Sequence, residues 1–234
     1  MKFLQSATSY VDALLEDGRF SDKKSVQAAS LELNGDEATA PPPEQIGFSY
    51  FAKSNPNEEV VRFQKDAAYL TATKYGTWKA FSKHADELLG PFINSALDLT
   101  GIAHAKLEYT DRFVFSGDPK DANLSEVLNL ERLGLPSQAF ENGMAWHDRR
   151  GWFETIDQGP VLINSNIALA DVTPRDQPNV LLKSIHIVTV VETRFEQLIE
   201  EQNTLSGVVD SLHKVNKETL RSAITENAAN SVGL

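Results

Sequence analysis

Polar and apolar positions divide this chain into stretches with a period of two and stretches with a period of three to four. From residue 61 the pattern runs through Val61, Phe63, Ala67, Tyr69 and Thr71, which predicts a strand or hairpin arm ending at Lys74-Tyr75-Gly76. Thr77 is suited to cap a helix. After it, Trp78, Phe81, Ala85, Leu88, Leu89, Phe92, Ile93, Ala96 and Leu97 recur at helical spacing up to Gly101, a C-terminal glycine. Gly90-Pro91 interrupts that stripe. An interior proline costs a helix about 3 kcal/mol, so two pieces sharing one apolar phase are predicted. Ala105, Leu107, Tyr109, Asp111 and Phe113 then alternate, predicting a strand on the same sheet as the first.

Residues 7–15 predict a short helix, with Tyr10, Val11, Leu14 and Leu15 on one face. The run DEATAPPP at 36–43 predicts an exposed polyproline-like linker. It divides an N-terminal segment, 1–45, from a single α+β domain, 46–234. Residues 46–52 resume as a strand, with Asn55-Pro56-Asn57 as the next turn. Beyond the turn at 116–119, Leu124, Val127, Leu128 and Leu130 predict a short helix. Residues 145–153 and 161–172 predict antiparallel strands about Asp157-Gln158-Gly159-Pro160, and 180–191 is the strongest β run, expected at the centre of a sheet. A final helix over 204–230, capped by Asn203 or Thr204, carries Leu205, Val208, Val209, Leu212, Val215, Leu220, Ala223 and Ile224. The fold class is therefore α+β, with antiparallel sheet packed against two long helices. Each half has strands around one helix, which permits a duplicated strand–helix–strand unit, although no residue-level repeat accompanies it.

Composition narrows the function classes. With 41% hydrophobic and 24% charged residues the chain reads as an ordinary soluble globular protein. Its net charge of -11 argues against a broad nucleic-acid surface. The absence of cysteine excludes disulfides, thiolate catalysis and cysteine metal sites. Met1-Lys2-Phe3-Leu4 turns polar at once, and no apolar run reaches about 18 residues, so a cytoplasmic protein without a membrane span is expected.

The densest chemical cluster is Trp146-His147-Asp148-Arg149-Arg150-Gly151-Trp152. Guanidinium forks bind phosphate or carboxylate and indole faces stack, so Trp146, His147, Arg149, Arg150 and Trp152 are ligand-binding candidates for an anionic or planar ligand. In a strand, Trp146, Asp148 and Arg150 face one way and His147, Arg149 and Gly151 the other. A plain hairpin with a charged tip is the competing reading. His84, His104, His147, His186 and His213 are scattered without metal-site spacing. There is no G-x-S-x-G elbow, Walker A loop or G-x-G-x-x-G turn. No catalytic set, metal or cofactor is nominated.

Three stretches carry a resemblance: residues 69–78 before the long helix, the strand Lys106-Leu107-Glu108-Tyr109-Thr110-Asp111-Arg112-Phe113, and Leu212-His213-Lys214-Val215-Asn216 followed by Ile224-Thr225-Glu226. The pattern is similar to that of a sporadically distributed family of bacterial and archaeal proteins of about this size. In that family the strand looks like Arg-Tyr-x-Asn-Arg, and here Glu108 and Asp111 replace the first arginine and the asparagine. The resemblance implies family-motif residues at Tyr109, Arg112, Leu212, His213, Asn216 and Thr225, but no activity. Its distribution suggests a partner protein in a mobile-element defence or toxin–antitoxin locus.

Two readings follow. One is a non-enzymatic binding module with a protein partner or itself as partner, a homodimer forming through Leu205, Val208 and Val209. The alternative is an enzyme of unfamiliar type that binds an anionic ligand through residues 146–152.

Overall fold

Every strand pairing among the described residues is antiparallel, as an α+β fold of turn-linked strands requires. The computed structural model describes residues 12–13, 15–16, 18–28, 32–34, 37–39, 43–52, 58–135, 145–174 and 176–234. The chain packs as two compact units, Met1–Gly101 and Ile102–Leu234.

The first unit contains β1 (Phe20–Ala28), β2 (Glu32–Asn34), β3 (Glu37–Thr39), β4 (Glu44–Ala52), β5 (Glu59–Gln64), β6 (Ala68–Ala72) and the helix α1 (Trp78–Leu99). Its main sheet has the order β1-β4-β5-β6, and β2 and β3 pair as a separate ribbon. The predicted division at the proline-rich stretch is not where the chain divides. β1 lies upstream of that stretch and pairs with β4 downstream of it, from Phe20↔Ala52 to Ala28↔Glu44. Phe20 is part of the core, and Glu37–Thr39 is strand rather than open linker. The predicted helix at 7–15 and the turn at 55–57 lie mostly or wholly outside the described residues.

The core of this unit is a file of rings. Phe20 meets Tyr50 at 6.3 Å between centroids, Tyr50 meets Phe63 at 6.2 Å, and Phe63 meets Phe92 of α1 at 4.7 Å. β5 approaches β4 so closely that a Cβ on Gly47 would lie 2.0 Å from the Phe63 carbonyl oxygen, so only glycine fits there. The alternation expected to run on to Tyr69 changes phase at the turn after β5. Val61 pairs with Leu70 and Phe63 with Ala68, leaving Tyr69 exposed.

The predicted caps of α1 are in place: Thr77 Oγ1 accepts from the Ala80 amide at 3.3 Å, and Gly101, at φ 71°, donates to the Ala96 carbonyl at 2.9 Å. The predicted break at Gly90-Pro91 does not occur, and α1 continues through Pro91. Pro91 sits on the exposed face, where water can reach a carbonyl that loses its helical donor.

The second unit contains β7 (Ile102–Val114), two 3₁₀ turns (Pro119–Asp121 and Leu124–Glu126), α2 (Leu130–Leu133), β8 (Trp146–Ile156), β9 (Gly159–Val172), β10 (Leu182–Ile199), α3 (Gln202–Ala223) and α4 (Glu226–Ser231). Its sheet has the order β7-β10-β9-β8. β7 is therefore not on the sheet of β5 and β6, as the sequence suggested: α1 closes one unit and β7 opens the next. The recurring element is not strand–helix–strand but a three-strand meander followed by a helix of 22 residues, β4-β5-β6-α1 and β8-β9-β10-α3. The extra strand joins the first strand of one meander and the last strand of the other.

β10 is central, as predicted, with Ile185, Ile187 and Val191 fully buried. α3 covers β10 and β7. It starts two residues earlier than expected, at Gln202, and Glu201 caps it without a side-chain bond. It also stops earlier, because Ile224 bridges to Leu128 and Thr225 begins α4. Leu205 and Val208 are 7% and 0% exposed, so they serve the chain's own core, and of the expected self-pairing patch only Val209, half-buried, is left near the surface. Among the described residues no helix is long and apolar enough to cross a membrane.

Phe92 is 5% exposed and closes the ring file from the helix side. Phe92→Ala is expected to cost about 3–5 kcal/mol in denaturant unfolding, the range for an emptied aromatic site. A loss near about 0.5 kcal/mol, the scale of surface substitutions, would show that the face is solvated.

Candidate functional site

The β8–β9 hairpin decides what residues 146–152 can do. Its register runs without interruption from Trp146↔Leu169 to Ile156↔Gly159. Two residues, Asp157 and Gln158, close the loop, and Gly159 at φ 121° supplies the conformation that only glycine adopts readily. Opposed residues share a face, so Trp146, Asp148, Arg150 and Trp152 lie with Leu169, Ile167, Ser165 and Ile163 on the buried side. His147, Arg149 and Gly151 lie with Ala168, Asn166 and Asn164 on the other.

The five candidates therefore do not converge into one clamp. Trp146 packs against the core made by Ile167, Leu169 and Ile185. Arg150 Nε donates to Asp148 Oδ2 at 2.6 Å, and Trp152 Nε1 donates to Glu154 Oε1 at 2.9 Å. An enzyme or anion site needing both tryptophans with His147 and Arg149 has no common face on which to assemble.

The residues singled out by the resemblance mostly hold α3 in place. The Tyr109 hydroxyl and His213 Nδ1 are 3.1 Å apart. Burial, and then the Lys217 ammonium, press the His213 proton affinity below its ordinary value against an opposing pull from Asp210. A neutral ring can accept from the hydroxyl. Leu212 is fully buried, and Asn216 Nδ2 donates to the Thr189 carbonyl at 3.1 Å. Thr225 Oγ1 donates to the Glu126 carbonyl at 2.8 Å and accepts from the Ala228 amide at 3.2 Å. Arg112 is apart from these, beside His186 on the opposite sheet face. Burial, and then Arg112, lower the proton affinity of His186.

That opposite face carries a polar depression of about 440 Å³, with Lys106, Glu108, Arg149, Asn164, Asn166 and Glu192 at its walls. Val188 and Val190 form the floor. Gly151 leaves room for the Asn164 amide, since a Cβ there would lie 2.9 Å from Asn164 Oδ1. Lys106 Nζ is 2.8 Å from Glu108 Oε2, and His104 Nε2 is 3.0 Å from Glu192 Oε2. Amide, guanidinium, ammonium and carboxylate groups alternate, so the surface both donates and accepts hydrogen bonds. Asn164, Asn166 and Glu192 were not among the candidates. The signal of the two asparagines is the polar phase of β9, opposite to Val161, Ile163, Ile167 and Leu169, whereas Glu192 lies on β10 and reaches them only through the sheet.

The first unit has a smaller cleft of about 350 Å³ that includes Arg19, Glu58, Glu59, Lys74, His84 and Glu87. Its polar groups already answer one another: His84 Nε2 is 2.5 Å from Glu59 Oε2, and Lys74 Nζ is 2.7 Å from Glu58 Oε1. Among the described residues no three metal-ligating side chains gather. No family model matches the chain, and no curated protein or solved structure matches it either.

Asp111 stands on the buried face of β7, opposite Ile187, with Oδ2 buried and without a hydrogen-bond partner among the described residues. Burial raises its pKa above the ordinary carboxylate value. The folded chain then holds this proton more tightly than the unfolded chain, and stability falls as pH rises from the unfolded toward the folded pKa. Asp111→Asn is expected to raise the melting temperature at neutral pH and to lose that advantage near pH 3. Equal melting curves of the two proteins at pH 7 would contradict the burial of a charged Asp111.

Proposed function

We propose that this protein is a non-enzymatic binding module that engages a protein partner through the open face of the β7-β10-β9-β8 sheet. The observation that carries this reading is the set of Glu108, Arg149, Asn164 and Asn166 around an apolar floor on a face that α3 does not cover. Interleaved donors and acceptors recognise a partner by complementarity rather than by bulk charge. The net charge of -11 disfavours a polyanion there. The proposed setting is the cytoplasm of a bacterium. Following the family resemblance, the proposed partner is encoded in a mobile-element defence or toxin–antitoxin locus. Self-association as a homodimer is proposed beside it, through a separate surface.

The test is recovery of the full chain from its own host together with a stoichiometric protein partner. Asn166→Arg and Lys106→Glu are each expected to weaken that complex about tenfold or more, the effect of a contact worth about 1.4 kcal/mol. Their melting temperatures should stay within a degree or two of the parent, since both residues are exposed. Unchanged affinity in both variants would move the binding surface elsewhere.

A further inference from the structure

We propose that β8 is the edge through which two copies of this chain pair, antiparallel, with the twofold axis passing Trp152. This names the surface for the self-association above and is independent of the open-face partner. β8 has 11 residues, and β9 is its only strand neighbour among the described residues. Its register has no bulge and the strand contains no proline. A long regular edge of this kind is a template for another strand.

The occupant follows from the side chains. Around Trp152, Arg150 stands opposite Glu154 of the second copy, and the symmetry repeats the pair. Trp152 meets its own counterpart on the axis. On the other face Gly151 stands opposite Phe153, which is 73% exposed and the most exposed large apolar residue described. Opposite charges, paired aromatics and an aromatic across from glycine are the favourable cross-strand pairs. Other axes are worse. An axis at Gly151 sets Asp148 against Glu154, one at Arg150 sets Arg150 against itself, and one at Phe153 shortens the ladder and leaves Arg150 facing Ile156.

Charge supports the same choice. The chain carries -11 overall, yet in β8 Arg149 and Arg150 balance Asp148 and Glu154. Two copies can therefore approach here without the repulsion that opposes contact elsewhere. Arg150 keeps Asp148 at 2.6 Å within its own chain. Its planar fork has donors left for a second carboxylate.

Sedimentation of the full chain at micromolar concentration is expected to give a dimer of the 25.9 kDa chain. Arg150→Glu should raise the dimer dissociation constant at least tenfold by facing Glu154, and Arg150→Glu with Glu154→Arg should restore it. If Arg150→Glu fails to fold, Glu154→Lys, which faces Arg150 with a like charge, reads the same contact. Because the chain has no cysteine, Trp152→Cys should give one disulfide-linked dimer on mild oxidation, whereas His147→Cys should not. A monomer at low and moderate salt overturns the proposal. So does a dimer that ignores the charge variants, or a monomer whose β8 is occupied by a segment of another protein. Asn166→Arg and Lys106→Glu should leave the dimer intact, which separates this result from that of the open-face partner.

Discussion

The two-residue parity of β10 is the constraint on which the second unit depends. β10 has 18 residues and is hydrogen-bonded on both sides, to β7 from Ser184↔Val114 onward and to β9 from Leu182↔Val172 onward. Side chains alternate between faces, so Ile185, Ile187, Thr189 and Val191 on the helix side oblige Val188 and Val190 to lie on the other. The same parity passes through the ladders to β7, β9 and β8. It is why Arg149 reaches the polar depression while Arg150, one residue on, does not. A one-residue slip of β8 would exchange the two faces and expose Trp146 and Trp152 together.

Apolar burial alone does not choose among slips of two residues, because each keeps every apolar side chain inward. The choice is made by polar groups in the buried phase. Tyr109, Thr189, Ser165 and Arg150 form one row across the four strands. From above, His213 meets Tyr109 and Asn216 donates to the Thr189 carbonyl. A slip of β7 by two residues would bring Leu107 or Asp111 under His213 and forfeit that bond. Tyr109 of β7 and His213 and Asn216 of α3 thus act on register and helix placement, an effect that buried polar groups have in other folds.

What could be read from the sequence was what local chemistry decides. Thr77 and Gly101 bracket α1 because capping uses neighbouring backbone. The 157–160 turn reads directly because Gly159 needs its positive φ. The run 180–191 announces a central strand because Ile185, Ile187 and Val191 stand in one phase and Val188 and Val190 in the other. Phase and partnership were less legible. The turn after β5 changed the parity that had been carried to Tyr69, and Pro91 was tolerated because of the side of the helix it occupies. Sheet membership depends on pairing across long separations, so β1 reaching past the proline-rich stretch to β4 left no local trace. The polar face was half visible, as Asn164 and Asn166 in one phase of an otherwise apolar strand. Convergence with Lys106, Glu108 and Glu192 required the sheet.

Among the described residues the two four-stranded sheets have four edge strands, β1, β6, β7 and β8, and they differ in how they resist a further strand. β1 is interrupted by register shifts between Phe20 and Asp22 and between Val26 and Gln27, and it carries Lys23 and Lys24. β6 has only five residues. β7 turns the charged Asp111 inward, where it finds no hydrogen-bond partner among the described residues. Each is a recognised way of discouraging edge pairing. β8 also turns charges to that side, but Asp148 and Arg150 answer one another as an ion pair at 2.6 Å, unlike Asp111. Its outer phase is closed by Gly151, which leaves a gap, and Phe153, which is 73% exposed. An edge lacking these deterrents in a chain of net charge -11 is one where pairing is favoured only by a surface that is locally neutral. β8 meets that condition.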